Sequence, residues 1–440
     1  MVEVKETTVS SDWPGRWNCL APLLERASPM ATAAFQPGPE ILECIKQCKV
    51  LVIGAGGLGC ELLKNLALSG FQNIHVIDMD TIDVSNLNRQ FLFRINDVGN
   101  YKAEVAAKFV NQRVPGCHVQ AHNCKIQEME EEFYRGFNVI ICGLDSIEAR
   151  RWINSLVIGL LEYDDEGQLD RGSIIPIIDG GTEGFKGNSR VVIPGLTPCI
   201  ECTLSLFPPQ VNFPLCTLAH TPRLPEHCIE YVRIIQWEAD KPFDGAAVDG
   251  DNPEHIGWIL ERAQLRAEEY GIKGVSYRLA QGVVKHIIPA VASTNAVIAA
   301  SCSLQAFKLA TGCAAYMNNY MNFQDIDGVS ASVVEMTKRD DCPVCSQAPQ
   351  ILELKEDSKL QDVIDILLNS PDYQMKSPSL LAPGKTLYMK GVLEAQTAPN
   401  LKKTLKELNL KHGDEINVND STLTVPLTFK LNIVSTPMEQ

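Results

Sequence analysis

The segment Lys49-Val50-Leu51-Val52-Ile53-Gly54-Ala55-Gly56-Gly57-Leu58-Gly59 constrains this chain more than any other. The apolar run before Gly54 reads as a strand buried on both faces, as in a parallel sheet. Gly54, Gly56 and Gly59 fit G-x-G-x-x-G, and Leu62, Leu63, Leu66 and Ala67 follow at helical spacing until Gly70. Strand, glycine loop and helix in this order form a nucleotide cradle. The glycines let the backbone turn tightly and approach phosphate oxygens, while the helix N-terminus offers unpaired N–H groups and the positive end of a dipole. A second strand, Ile74–Ile77, ends at Asp78, 19 residues past Gly59, where a carboxylate can accept hydrogen bonds from ribose hydroxyls. The plainer alternative is a glycine turn with structural duties alone.

The alternation continues. The spacing predicts a helix over Lys102–Val110, strands at Cys117–Ala121 and Val139–Cys142, and a helix over Ser146–Leu161. This pattern implies an α/β fold with a doubly wound, mostly parallel sheet. Between Ile174 and Ile193 the apolar runs shorten around Gly180, Gly181, Gly184 and Gly187, as strands joined by a turn at the sheet's far side would. At 440 residues the chain is long enough for two or three domains of about 150 residues each. Prolines 208, 209, 214, 222 and 225 open an inserted helical domain, with helices expected around Ile229–Trp237 and Pro253–Tyr270. One helix from about Val283 to Leu309 should return to the first core. After Pro349 a small α+β module is expected: helices at Leu360–Leu368 and Lys402–Leu408, and strands at Leu387–Val392, Ile416–Val418 and Leu423–Val434. Pro426 would put the last strand at an edge or in a bulge. Residues 1–48, with five prolines, read as an irregular arm with at most a short helix around Leu20–Arg26. Composition favours disorder there over a segment that docks on a partner. The expected divisions are 1–48, 49–208, 209–286, 287–348 and 349–440.

Lys and Arg number 39 against 54 Asp and Glu, a balance of −15 with no basic block, which argues against nucleic-acid binding through the phosphate backbone. The apolar stretch Ile287–Ala310 is broken by Pro289, Ser293-Thr294-Asn295 and Lys308, so it reads as a buried helix and no membrane span is expected. The polar start MVEVKETTVSSDW has no secretory core. Fifteen cysteines then point to a reducing compartment, cytoplasm or nucleus, where thiols are free, bind metal or do chemistry.

Which nucleotide binds depends on cations. A dinucleotide needs few, whereas a triphosphate under attack needs its charge neutralised. Asp80, Asn86, Arg89 and Gln90 follow Asp78, and Lys102 opens the next helix; Arg89 and Lys102 could hold phosphates or be ordinary surface charges. Asp145 follows the strand Val139–Cys142, at the end of the sheet where open α/β folds bind ligands. A lone carboxylate with phosphates is one way to hold Mg²⁺; capping the helix after it is the other reading. Cys199-x-x-Cys202 and Cys342-x-x-Cys345 lie in turn-like contexts, and four thiolates so spaced suit a closed tetrahedral Zn²⁺ site. A dithiol redox pair or buried free thiols are the rivals. Cys44, Cys48, Cys60, Cys117, Cys124, Cys142, Cys302 and Cys313 fall in or beside regular elements, where cysteine is usually a small buried hydrophobe. Cys19 lies in the arm, and two candidates remain as nucleophiles: Cys216 in a proline-lined crossing, and Cys228 near a helix start but in line with the stripe Ile229, Val232 and Ile235.

The segments GAGGLG, SNLNRQFLF, GLDSIEARRWIN and DGGTEGFKGNSRVVIPG, with Asp78 and Asp80 between the first two, resemble the adenylation domain of ubiquitin-like-modifier activating enzymes of the neddylation type. The resemblance extends over nearly all of 49–440. It implies that Gly54, Gly56 and Gly57 line ATP, that Asp78 holds the ribose, and that Asn86, Arg89 and Lys102 contact phosphates. By the same resemblance Asp145 binds Mg²⁺, Arg190 faces the modifier's tail and helps select it, and Cys216 forms the thioester. The cysteine pairs would hold structural Zn²⁺, and the C-terminal module would be a ubiquitin-fold (β-grasp) domain that recruits a conjugating enzyme. Two departures matter. Single-chain members carry two related nucleotide folds where this sequence shows one, and the R-Y-x-R-Q motif of the bacterial relatives is not found before Gly54. A catalytically silent second subunit is therefore expected to supply the missing half and an arginine. A dinucleotide-dependent oxidoreductase and a non-catalytic scaffold are the competing functions.

Overall fold

The structure, a computed structural model, describes residues 14–207, 218–219, 221–250, 252–284, 290–346, 350–355, 357–370, 372–391 and 393–434. The chain separates into two units, Met1–Phe207 with Ala290–Gln440, and Pro208–Pro289.

In the first unit, α1 (Ala21–Leu24) and α2 (Glu40–Gln47) precede strand β1 (Lys49–Ile53). Then α3 (Gly57–Leu68), β2 (Asn73–Ile77), α4 (Lys102–Arg113), β3 (His118–His122), α5 (Glu131–Arg135), β4 (Val139–Cys142), α6 (Ile147–Gly159), β5 (Ile177–Glu183) and β6 (Lys186–Val192) follow. The second unit contains α7 (Pro225–Tyr231), α8 (Pro253–Glu269) and α9 (Tyr277–Val284). The first unit resumes with α10 (Ala292–Thr311), β7 (Tyr320–Gln324) and β8 (Ser330–Val334). It ends with β9 (Gln350–Lys355), α11 (Leu360–Asn369), β10 (Ser379–Ala382), β11 (Lys385–Tyr388), β12 (Glu415–Asn419) and β13 (Leu427–Val434).

Eight strands lie in the order β3-β2-β1-β4-β5-β6-β7-β8. The first five are parallel and the last three antiparallel, so the expected mostly parallel sheet has an antiparallel flank. The chain moves one way from β1 to β2 and β3, then returns to β4 on the other side of β1. That reversal opens a crevice at the C-terminal ends of β1 and β4. Helix α10 packs on α3, β5 and β6 and helps close the core around Val50, Val52, Leu62, Leu66 and Ile298.

Several expectations are corrected. Residues 14–48 are not a loose arm: Leu24 and Ile45 are fully buried in the sheet's core cluster, and Glu40–Gln47 is helical. Its apolar face, Ile41, Leu42 and Ile45, is what the proline count obscured. Two helices, α9 and α10, stand where one was expected from Val283 to Leu309; α10 begins only after the extended residue Val291. Residues 285–289 lie outside the described residues. The hairpin β7–β8 went unpredicted because β8 is exposed along its whole length, so no buried face imposes alternation.

The C-terminal module is a five-stranded sheet, β11-β10-β12-β13-β9, with α11 packed on it through Leu360, Val363, Ile364 and Leu367. Pro426 precedes β13 and leaves its ladder intact, so β13 is an interior strand. The helix expected at Lys402–Leu408 is instead a 3₁₀ turn, Ala398–Lys402, after which extended Lys403 leads Thr404 into a bridge with Lys359. The strand expected to reach Val392 ends at Tyr388, where Met389 donates its N–H to Thr397 Oγ1. The module is tied to α6. Arg151 donates to the carbonyls of Tyr373 and Gln374 at 2.7 and 2.8 Å, and Ser155 and Thr424 share a hydroxyl hydrogen bond of 2.9 Å. Among the described residues, no helix is long and apolar enough to cross a membrane.

Candidate active site

The glycine loop connects β1 to α3 at the crevice. Gly54 has φ +98°, and a Cβ there would lie 2.6 Å from the carbonyl oxygen of Gly143, at the end of the neighbouring strand β4. A Cβ on Gly59 would lie 2.0 Å from the carbonyl oxygen of Gly54. These two positions require glycine for the loop to close on itself. Gly56 differs: the nearest atom to its missing Cβ is Gln90 Nε2 at 3.9 Å, which leaves backbone open to a ligand. At Gly57 the missing Cβ would meet Asn295 Nδ2 at 2.5 Å and the Cγ of Arg89 at 3.5 Å.

Asp78 steadies this loop. Its two oxygens accept from the Ala55 and Asp80 N–H groups at 2.6 and 2.8 Å. Burial pushes its carboxyl pKa up, opposed by those N–H bonds and by Lys102. Lys102 is buried and its ammonium pairs with Asp80 at 2.8 Å. Arg89 is held by the Ser85 carbonyl and Asn88 Oδ1, and Asn86 Oδ1 caps its own turn by accepting from the Asp83 N–H. Gln90 is buried with its Oε1 unpartnered, beside Gly56. Asp145 is exposed just beyond β4. It does not cap α6, since Ser146 does so by accepting from the Ala149 N–H. The structure thus gathers Gly54, Gly56, Gly57, Asp78, Asp80, Asn86, Arg89, Gln90, Lys102 and Asp145 around the C-terminal ends of adjoining parallel strands. An exposed carboxylate that caps no helix, at the end of the strand adjoining the glycine loop, is compatible with a Mg²⁺–triphosphate ligand held by that loop.

Arg190, on β6, is 4% exposed. Its Nη1 donates to Thr203 Oγ1 at 2.7 Å, its Nε lies 3.4 Å from Asp179 Oδ2, and its guanidinium sits over the rings of Phe207 and Tyr320. Sequence reasoning missed three residues. Asn295, from α10, presses on the glycine loop and accepts from Thr182 Oγ1. Arg150 and Asp179 form a buried ion pair behind Asp145, with Nε and Oδ1 2.8 Å apart. Arg150 stands in GLDSIEAR and Asp179 in IIDGG, so a charge embedded in an apolar strand was the available signal.

The thiols of Cys199, Cys202, Cys342 and Cys345 all lie within 4.8 Å of one another, at 3.4, 3.6 and 3.8 Å for three of the pairs. A tetrahedron with Zn–S bonds of about 2.3 Å has S–S edges of about 3.8 Å, so the cluster is compatible with Zn²⁺ and leaves no open position. Between the first two, Glu201 is fully buried and takes a two-pronged ion pair from Arg151. Of the other cysteines, Cys60, Cys117, Cys142 and Cys302 are buried as expected, while Cys44 is exposed on α2, contrary to the reading as a buried hydrophobe. Cys228 is fully buried against Ile229 and Ile256, and burial pushes its thiol pKa up. Cys216 lies outside the described residues.

A phosphate cradle at the switch point of an α/β sheet, followed by a small five-stranded α+β module, defines a nucleotide-binding protein of the α/β class with an appended domain; the family models say which. The ThiF family matches residues 30–344 and an E2 binding domain matches 353–433. The chain belongs to the ThiF family and is an ATP-using, ubiquitin-like-modifier activating enzyme. It is 56% identical over 434 residues to the Nedd8-activating enzyme E1 catalytic subunit of Drosophila melanogaster, covering 96% of each chain. It is 55% identical to the Caenorhabditis elegans protein of that name, covering 95% of this chain and 98% of the other. For the Dictyostelium discoideum protein the identity is 48%, with 98% and 99% covered. The oxidoreductase reading is not favoured.

Proposed function

We propose that this chain is the catalytic subunit of a heterodimeric E1 that activates NEDD8. The names of its relatives, at 48–56% identity over nearly the full length, carry the reading. The ionised carboxylate of the modifier's C-terminal glycine attacks the α-phosphate of ATP. The new P–O bond forms as the bond between the α-phosphorus and the α,β-bridging oxygen breaks, giving an acyl adenylate and pyrophosphate, which leaves with that oxygen. No general base is needed, because that carboxylate is already deprotonated at neutral pH. The glycine loop and α3 hold the phosphates through N–H groups, and Asp78 holds the ribose. Arg89 and Lys102 meet the charge that develops, with Lys102 exchanging Asp80 for phosphate; Asn86 and Gln90 line the same pocket. Asp145 would hold Mg²⁺, which neutralises phosphate charge when bound. The Cys216 thiolate then attacks the acyl carbon, and AMP leaves with the oxygen it shares. The thioester passes to a cysteine of the conjugating enzyme recruited by residues 349–440.

Arg190 takes part in selecting the modifier's tail. Zinc at the four thiols closes segments some 140 residues apart. The second subunit is catalytically silent, supplies an arginine to the phosphates, and works with this chain in cytoplasm or nucleus. Exposed apolar side chains support a protein partner: Val297 and Leu304 on α10, Val333 and Val334 on β8, and Phe185 and Ile326 at the adjoining turns. The test is Cys216→Ala in the assembled heterodimer. Modifier-dependent adenylate should form at the normal rate, and no thiol-labile adduct should appear on the chain. A reducing-agent-sensitive adduct that survives the substitution places the nucleophile elsewhere.

A further inference from the structure

Arg150 has no role in the reaction just described, yet it is buried and its donors converge on the backbone around Asp145. It stands one helical turn after Ser146, and helical side chains lean towards the N-terminus, so its guanidinium reaches back over the start of α6. There Nη2 donates to the carbonyl of Leu144 and, at 3.0 Å, to that of Gly180; Nη1 lies 3.4 Å from the carbonyl of Ser146. The residues on both sides of Asp145 are therefore gripped by one planar group, which is also pinned to β5. The remaining donor, Nε, pairs with Asp179 Oδ1 at 2.8 Å. Asp179 is 1% exposed, and its other oxygen faces Arg190 Nε at 3.4 Å. Two ion-pair contacts thus connect the loop that carries Asp145 with the guanidinium assigned to the modifier's tail.

We propose that Arg150 and Asp179 are positioning residues for adenylation. Arg150 fixes Asp145 by holding its neighbouring carbonyls, and Asp179 ties that grip to the buried Arg190, so the carboxylate proposed to hold Mg²⁺ and the cation proposed to act in tail selection are set as one unit. The proposal rests on the roles given above to Asp145 and Arg190. Buried ion pairs lose about as much in desolvation as they gain in attraction, so the contribution of this network is geometry more than stability. A lysine at 150 would keep a charge against Asp179 but could not fork to several carbonyls at once.

The test is Arg150→Lys in the assembled heterodimer, with ATP–pyrophosphate exchange followed over a Mg²⁺ titration and rates normalised to active sites by the adenylate burst. Losing hydrogen bonds that aim Asp145 should raise the half-saturating Mg²⁺ concentration about fivefold. In an Asp145→Asn background the same change should move it by less than about twofold, because Arg150 acts through Asp145. Asp179→Asn should weaken discrimination between modifiers that differ in their tails, in the direction of Arg190→Ala. If Arg150→Lys lowers only the number of active sites and leaves the Mg²⁺ midpoint unmoved, Arg150 is structural and the proposal is overturned. An equal shift in both backgrounds also overturns it. An Asp145→Asn change that leaves Mg²⁺ dependence intact removes the reading of Asp145, and this proposal with it. Should Arg150→Lys yield no soluble complex, Arg150→Met, with Asp179 still facing Arg190, gives the same readouts.

Discussion

The glycine loop and the four-thiol knuckle hold their segments by opposite means. In the loop, closure depends on side chains that are missing: the backbone of residue 54 lies where a Cβ on Gly59 would be, and Gly143 lies where one on Gly54 would be. In the knuckle, closure depends on side chains that converge, with Cys199 and Cys202 meeting Cys342 and Cys345 and Glu201 held between them by Arg151. A site made of backbone is pre-shaped and cannot relax around an added atom. A site made of side chains can be taken apart one ligand at a time, and its loss should reach the segments it joins before it reaches the nucleotide.

The sharpest way to break this contrast is Gly59→Ala. The added methyl meets backbone and has nowhere to go, so nucleotide binding should be abolished at a cost of about 3 kcal/mol or more. Equilibrium binding of a fluorescent ATP analogue and a denaturant melt would check both. Cys199→Ser tests the other side: bound zinc should fall from about one per chain to near zero, with stability reduced by several kcal/mol. Metal analysis beside a melt reads this, and some ATP binding should survive. Arg151→Met leaves Glu201 buried without its partner and should cost about 3 kcal/mol. It also removes donors to the Tyr373 and Gln374 carbonyls, so hydrogen exchange should quicken in the C-terminal module while the loop around Gly54–Gly59 stays protected.

The parallel half of the sheet was legible because β1 and β4 are continuous apolar runs buried on both faces and helices punctuate the strands. The cradle and the paired cysteines were legible for a related reason, since residue type and spacing along the chain are themselves the geometry. What could not be read depends on distant neighbours. Arg150 looks like any surface charge until the fold brings it, 29 residues away in sequence, against Asp179 and buries the pair. Asn295 reaches the loop only because α10 returns across the sheet. Strand β8, exposed on both faces, carries no alternation to find. The segment before β1 misled in the other direction, as its prolines masked an apolar helix face that reaches the core at Ile45.

The smallest expected effect lies away from both sites, at the sheet's other edge. His75 and His122 stack, with Nδ1 and Nε2 2.9 Å apart; burial, then Lys49 and His122, lower the His75 pKa from 6.5 to about 4. Between these values the unfolded chain binds a proton that the folded chain refuses, so this contribution to stability is present above pH 6.5 and lost as pH falls towards 4. Thermal melts across that window should show a shallower acid loss for His75→Gln, with activity at neutral pH unchanged.

The most direct test of the account is ATP–pyrophosphate exchange by this chain with its second subunit, offering ubiquitin-like modifiers one at a time. Exchange that depends on NEDD8, and falls sharply with Asp145→Asn, is the predicted result. Nucleotide bound to the complex without exchange in the presence of any modifier would contradict it.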